Sequence, residues 1–170
     1  MATTYEAIAT VTVTGATAAN MEFTSIPATY TDLLLKISTR STYAANFSRA
    51  RLQINSLTTG YTNILVYGQD TTTSSASSTD YITFFYSTGS SATDNTFANT
   101  EIYLPNYTSA NAKSTSSDSV TENNAAEAFL ALSAGLQTST AAISSLTITD
   151  ANAANFVQYS TATLYGIKNS

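Results

Sequence analysis

Apolar and polar side chains alternate over short stretches of this chain, most clearly in Asp32-Leu33-Leu34-Leu35-Lys36-Ile37-Ser38-Thr39-Arg40. An extended strand puts Leu33, Leu35, Ile37 and Thr39 on one side and Asp32, Lys36, Ser38 and Arg40 on the other, because strand side chains alternate with period two. Wound as a helix, the same residues scatter charge around the whole circumference. The pattern therefore predicts a strand with one buried face. Such a strand is stable only with paired neighbours and a second layer over its apolar side.

The rest of the chain supplies those strands. Tyr5 to Thr14 is rich in β-branched residues and stops at Gly15, and Met21-Glu22-Phe23-Thr24 is a short second strand before the Ile26-Pro27 turn. Arg49 to Asn55 alternates with Ala50, Leu52 and Ile54 facing in. Tyr61 to Tyr67 carries Ile64, Leu65 and Val66 in succession, which predicts a bulge or burial on both faces before Gly68 ends it. Asp70 to Thr79 is almost entirely Thr and Ser. Such a run cannot bury enough apolar area to order itself, so it reads as a mobile surface loop. Tyr81 to Tyr86 is the most aromatic strand, and Thr100 to Leu104 leads to Pro105. Ser114 to Thr121 is nearly all hydroxylic and reads as an exposed edge strand. Glu127 to Leu132 is short and closed by Gly135, so strand is preferred over helix. Ile143 to Thr149 and Gln158 to Ile167 complete the series. The expectation is all-β, a jelly-roll-like antiparallel β-sandwich of about ten strands. Residues 1–170 form a single domain, with 1–4 as an N-terminal arm.

Composition changes the picture in two ways. Only 10% of residues are charged, so the chain stays hydrated through the Ser and Thr that make up about a third of it. The net charge of −5 repels a phosphate backbone, which argues against nucleic acid as a partner. No apolar run approaches the ~18 residues of a membrane helix, and Met1 to Glu6 lacks the basic start of a secretory leader. No membrane partner is expected, and the mature chain is expected to begin near Met1.

The sequence contains no His and no Cys. Nucleophile and base pairs of the Ser-His or Cys-His type cannot be assembled, and thiolate or imidazole metal sites are removed with them. A glycoside hydrolase needs only two carboxylates, for which Asp32, Asp70, Asp80, Asp94, Glu101, Asp118, Glu122, Glu127 and Asp150 are available. Asp80, Asp94, Asn95 and Asp150 are candidate Ca²⁺ ligands, but none has the spacing of a dedicated calcium loop. The expectation is no catalytic residue, no metal, no cofactor and no enzyme. Tyrosine is the better lead: 11 of the 18 Phe and Tyr residues carry a hydroxyl, a form suited to interfaces and to stacking on sugars.

Three stretches together resemble a known family. Ile26 to Leu33, with Arg40 following, is similar to the early strand pair of small β-sandwich modules in structural proteins of tailed bacteriophages. Gly135 to Ser139 through Ile143 to Ile148 resembles their late Gly-turn and strand, and Asn155-Phe156 through Leu164-Tyr165-Gly166-Ile167 resembles their C-terminal strand. The family often has Trp after the late Gly-Leu, where this chain has Gln137, and a Gly-Asp turn where this chain has Asn55-Ser56-Leu57. The resemblance implies a virion component. The expectation it carries is a capsid decoration (cement) protein on the outer capsid surface, homotrimeric, clamping the major capsid protein lattice. Its interface is expected at the terminal arm Met1, Ala2, Thr3, Thr4 and Tyr5. The alternative it implies is a tail- or head-fibre module that binds host surface glycans.

Overall fold

The computed structural model describes residues 4–121, 124 and 127–168. Its first strands are β1 (Tyr5–Thr12), β2 (Thr17–Ala18), β3 (Asn20–Phe23), β4 (Asp32–Thr39) and β5 (Phe47–Ile54). The middle of the chain gives β6 (Tyr61–Gln69), β7 (Thr72–Ser78), β8 (Thr83–Thr88), β9 (Ala98–Leu104) and β10 (Lys113–Thr121). The last are β11 (Phe129–Gln137), β12 (Leu146–Asp150), β13 (Phe156–Val157) and β14 (Thr161–Ile167). An eight-stranded sheet has the order β1-β14-β4-β9-β10-β11-β6-β7, a four-stranded sheet the order β3-β12-β5-β8, and β13 pairs with β2. All strand pairs are antiparallel. The chain crosses repeatedly between the two large sheets, and the all-β sandwich read from the sequence is the fold.

The layers enclose two different interiors. Under β4, β14 and β9 the filling is hydrocarbon: Leu33, Leu35, Ile37, Ile102 and Leu164 meet Met21, Leu52, Ile54, Leu146 and Ile148 of the smaller sheet in one buried cluster. The organising strand sits at its centre. Beside it the loops are pinned by buried polar groups. The Asp32 carboxylate accepts hydrogen bonds from the Tyr103 hydroxyl at 2.8 Å and the Asn106 amide at 2.7 Å. Its bond to Tyr103, with burial, raises the pKa of that phenol above its ordinary value. The Arg40 guanidinium is buried and donates to the carbonyls of Thr93, Thr96, Ser90 and Ala92, which fixes the whole 90–96 loop.

The other interior is a thin seam of hydroxyls. Strand β8 lies across β10 and β11, and most side chains along the middle of their contact are Ser and Thr. Thr83 Oγ1 lies 2.8 Å from Ser117 Oγ and donates to Ser133 Oγ at 3.1 Å. The Tyr86 amide donates to Ser119 Oγ at 2.9 Å, and Thr100 Oγ1 donates to the same oxygen. Ser114 to Thr121 is therefore no exposed edge. It forms β10, between β9 and β11, with every second hydroxyl buried against β8. Short polar side chains suit this place because they fill a narrow gap and also satisfy backbone groups of β8 that no strand pairs.

Gly135 belongs to the same seam. It stands inside β11, not at its end, and a Cβ built on it would lie 1.5 Å from the Ile82 carbonyl oxygen. Only glycine permits that approach. At the far end of the seam Tyr86 stacks on Phe129 with ring centroids 4.4 Å apart, and Phe47 packs on Phe129 at 4.1 Å.

Two further expectations are corrected. Residues 72–78 of the supposed mobile loop are strand β7, paired along its length with β6. Strand β6 runs past Gly68 to Gln69, and Ile64, Leu65 and Val66 are neither bulged nor buried on both faces. They alternate, with Leu65 inside and its two neighbours in solvent. The fourteen strands among the described residues agree with the expected sandwich of about ten strands, the additions being β7 and the two-residue pieces β2 and β13, which carry no hydrophobic period.

Gly135→Ala forces a methyl group into the backbone of residue 82, so it is expected to lower stability by about 3 kcal/mol or more. Gly68→Ala, where a Cβ meets nothing within 4 Å, is expected to leave the urea midpoint unchanged or slightly raised. Parallel urea denaturation of the two variants measures the contrast.

Candidate functional site

The solvent face of the eight-stranded sheet is ordered in rows by the strand register. One row reads Thr163, Lys36, Glu101, Asp118, Leu132, Val66, Ser75 from β14 to β7. A neighbouring row reads Tyr165, Leu34, Tyr103, Ser116, Ala134, Ile64, Ser77, and another reads Thr161, Ser38, Asn99, Val120, Leu130, Gly68, Thr73. Directly opposed side chains on one face touch, so each row is a line of contacts. The face is consequently divided. Over β14, β4 and β9 it is hydroxylic and charged, with a Lys36–Glu101 ion pair whose hydrogen bond raises the Lys36 pKa. Over β11 and β6, joined by Val120 of β10, it is aliphatic.

Ile64 is 58% exposed, Leu130 and Leu132 are 56% each, and Val66 is 53%. Val120 and Leu136 extend the same surface. Six of the nine exposed large apolar residues among the described ones lie here. A contiguous apolar patch of this kind marks an interaction surface more often than scattered exposed residues do.

The arrangement follows from the hydroxyl seam on the other side of the same strands. In β11 the inward positions are Phe129, Ala131, Ser133, Gly135 and Gln137, and the outward ones Leu130, Leu132, Ala134 and Leu136. In β10 the inward set is Lys113 with Ser and Thr. In β11 the usual order of apolar inside and polar outside is inverted between its ends, because β8 leaves room only for small residues at Ala131, Ser133 and Gly135, whereas β10 is polar on both faces apart from the outward Val120.

Hollows of ≈ 420 and ≈ 440 Å³ lie on the charged half and over the aliphatic patch, and a second feature, a further cleft, lies where β8 meets the β6–β7 hairpin. This cleft measures ≈ 350 Å³ and is lined by Arg49, Tyr67, Asp80, Tyr81, Phe84 and Asn152 among others. The Arg51 guanidinium lies 4.8 Å from the Tyr81 ring centroid and stacks on it. Aromatic rings, a cation, a carboxylate and an amide converge here.

Of the residues singled out from the sequence, Asp80 lines this cleft and the others fall elsewhere. Met1, Ala2 and Thr3 of the expected interface arm lie outside the described residues. The Thr4 carbonyl accepts the Lys168 amide, and Tyr5 opens β1 opposite Ile167. Tyr5 is thus part of the sheet, exposed on the charged half of its face. The carboxylates do not gather. Asp32 holds the 106 turn, while Asp150 accepts from Ser41 Oγ at 2.7 Å and from the Asn152 amide at 2.8 Å. Asp70 accepts the Ala128 amide, and Glu127 accepts from Gln69. Asp94 is exposed beside Arg40, and Glu101 and Asp118 sit opposite each other on the open sheet face. Glu122 lies outside the described residues. Among the described residues no three acidic groups converge as a metal site would require.

The aliphatic patch was missed because Leu, Ile and Val in a strand are assigned to the core by default. One signal was present: Leu130, Leu132 and Leu136 share a parity whose opposite includes Ala131, Ser133 and Gly135, residues too small to fill a core by themselves. No protein-family model matches the sequence, and no curated protein matches it.

Leu130→Ser and Leu132→Ser are each expected to change stability by less than about 1 kcal/mol, whereas Leu33→Ala is expected to cost about 2–5 kcal/mol. Both surface variants should also reduce binding of a hydrophobic fluorescent dye. Chemical denaturation and dye titration on the purified chain check the three together.

Proposed function

We propose that this chain is a non-enzymatic docking module of a phage particle, a capsid decoration protein that seats the aliphatic half of its outer sheet face on the major capsid protein. The observation that carries this reading is the patch formed by Ile64, Val66, Val120, Leu130, Leu132 and Leu136. Its strands are held rigid in the middle of a sheet, so docking it needs little reordering of the chain. Its centre is uncharged, as interface centres are. The resemblance of the Ile26–Arg40, Gly135–Ile148 and Asn155–Ile167 stretches to phage β-sandwich modules supports a virion as the setting and the outer capsid surface as the location. Many copies on one lattice add up, so each contact can be modest.

Capsids stripped of this protein and then refilled provide the test. Wild-type chain is expected to rebind and restore resistance to heat, and Leu130→Glu with Leu132→Glu is expected to abolish both while the isolated domain stays folded. Rebinding by the double variant at wild-type occupancy overturns the docking face. Failure of wild-type chain to bind any capsid overturns the decoration role.

The cleft at β8 and the β6–β7 hairpin favours a second reading, a fibre module for host surface glycans, because rings beside Arg, Asp and Asn are the groups that hold sugars. A glycan array probed with the full chain and with Tyr81→Ala measures it. Retention of a sugar by wild type and at least tenfold weaker binding by the variant is the expected pattern under this reading, and an empty array removes it.

A further inference from the structure

Strand β7 is the least covered element of the molecule. Six of its seven residues are exposed and Ser78 is half-buried, so neither of its faces is packed away. It stands at the end of the eight-stranded sheet, joined only to β6. On its open side runs a row of backbone donors and acceptors that no strand among the described residues pairs. Such an edge is a template for another strand unless charge, proline or a bulge blunts it.

The two edges of this sheet differ in that respect. Strand β1 carries a register shift between Ala7 and Ala9, and its Glu6 is ion-paired with Lys168. Strand β7 has the sequence Thr-Thr-Ser-Ser-Ala-Ser-Ser, with no charge and no proline, and pairs with β6 in unbroken register from Gln69↔Thr72 to Asn63↔Ser78. One edge is protected and the other is open.

We propose that β7 is a homotypic pairing edge, taking β7 of a second copy antiparallel across a two-fold axis so that the two large sheets become one. A second copy fits for three reasons. All side chains on both faces of β7 are small, so opposed pairs across the axis set hydroxyl against hydroxyl or methyl without a clash. The strand is uncharged, so identical copies do not repel along the ladder. A two-fold perpendicular to the sheet keeps the same face outward on both copies, and isologous two-fold pairing is the commonest form of self-association. Ser75 and Ser77 lie directly beside Val66 and Ile64, so the pairing sets the two aliphatic patches on either side of a narrow hydroxyl strip. One wide docking face results.

The ends of the strand give the salt dependence its sign. Asp70 and Asp80 flank β7, and a pairing centred on Ser75 brings Asp70 of each copy towards the partner's Asp80. Added salt screens that repulsion, so association strengthens with ionic strength.

Sedimentation velocity of the full chain over a concentration series is the test, with hydrogen exchange read in parallel. The expected result is a concentration-dependent dimer that tightens with salt, with new amide protection over residues 72–78 and none over β1. Ser75→Lys places two like charges at the axis and is expected to weaken the dimer at least about tenfold, while Leu132→Glu leaves it intact. Thr73→Lys, away from the axis, repeats the test if the first variant folds poorly. A monomer at all concentrations overturns the proposal, as does a trimer. A dimer that survives both lysine variants but dissociates with Leu132→Glu also overturns it, since stacking through the aliphatic face is then the contact.

Discussion

The approach of β8 to β10 and β11 is the constraint on which the rest of the molecule depends. Where a Cβ at residue 135 would lie 1.5 Å from a carbonyl oxygen, the layers are too close for hydrocarbon side chains of ordinary size. Ser117, Ser119, Ser133, Thr83 and Thr100 occupy the space and bond across it. A hydroxyl chain of this kind contributes less per residue than packed leucine, but leaving the edge of β8 unsatisfied would cost more. The sandwich therefore tapers from a hydrocarbon half to a hydroxyl half. The leucines of β11 and Val120 of β10 are displaced to the outer face, where they meet Ile64 and Val66 of β6.

The loops around this frame are held by polar groups rather than by apolar packing. Arg40 gathers four carbonyls of one loop, Asp32 and Tyr103 hold the next, and Asn55 accepts the amides of Ser144 and Ser145 and donates to the Ala142 carbonyl. Gln137, in the place where the resembled family often has Trp, is buried and donates to the Thr59 carbonyl while accepting the Ser139 amide. An aromatic ring and a bonded amide can both close this corner, the first by area and the second by satisfying backbone. Gly166 lets the Tyr30 ring lie flat on β14, since a Cβ there would fall 2.3 Å from it. The Tyr107 hydroxyl in turn donates to the Pro27 carbonyl. Residues of the first and last resembled stretches thus touch one another.

Strands with a strong period were legible. The apolar set Leu33, Leu35 and Ile37 of β4, the inward set Ala50, Leu52 and Ile54, and the C-terminal strand lie as the alternation requires, because a one-residue slip would have turned them to water, although Asp32 and Arg40 of the other side of β4 are buried too. Hydroxyl-rich strands were not legible. Ser and Thr sit equally well in a loop, on an exposed edge or against another backbone, and nothing local distinguishes Ser114–Thr121, which is central, from Thr72–Ser78, which is an edge. The difference lies in what crosses above them, a long-range fact. The outer patch was hidden by the same cause. Leu130 and Leu132 look like core residues until the space behind Ala131 and Ser133 is known to be filled by β8.

The hydroxyl seam also has a calorimetric meaning. Exposing polar groups lowers the heat capacity of unfolding, whereas exposing apolar ones raises it. A half-core of Ser and Thr, with several leucines already in water, gives this chain a smaller heat-capacity increment than a sandwich of the same length filled with hydrocarbon. Its stability curve is correspondingly flat in temperature. Under the proposed docking, covering the outer face recovers that increment as a negative heat-capacity change of association. With that docking, part of this molecule's hydrophobic effect is held back from folding and released on assembly.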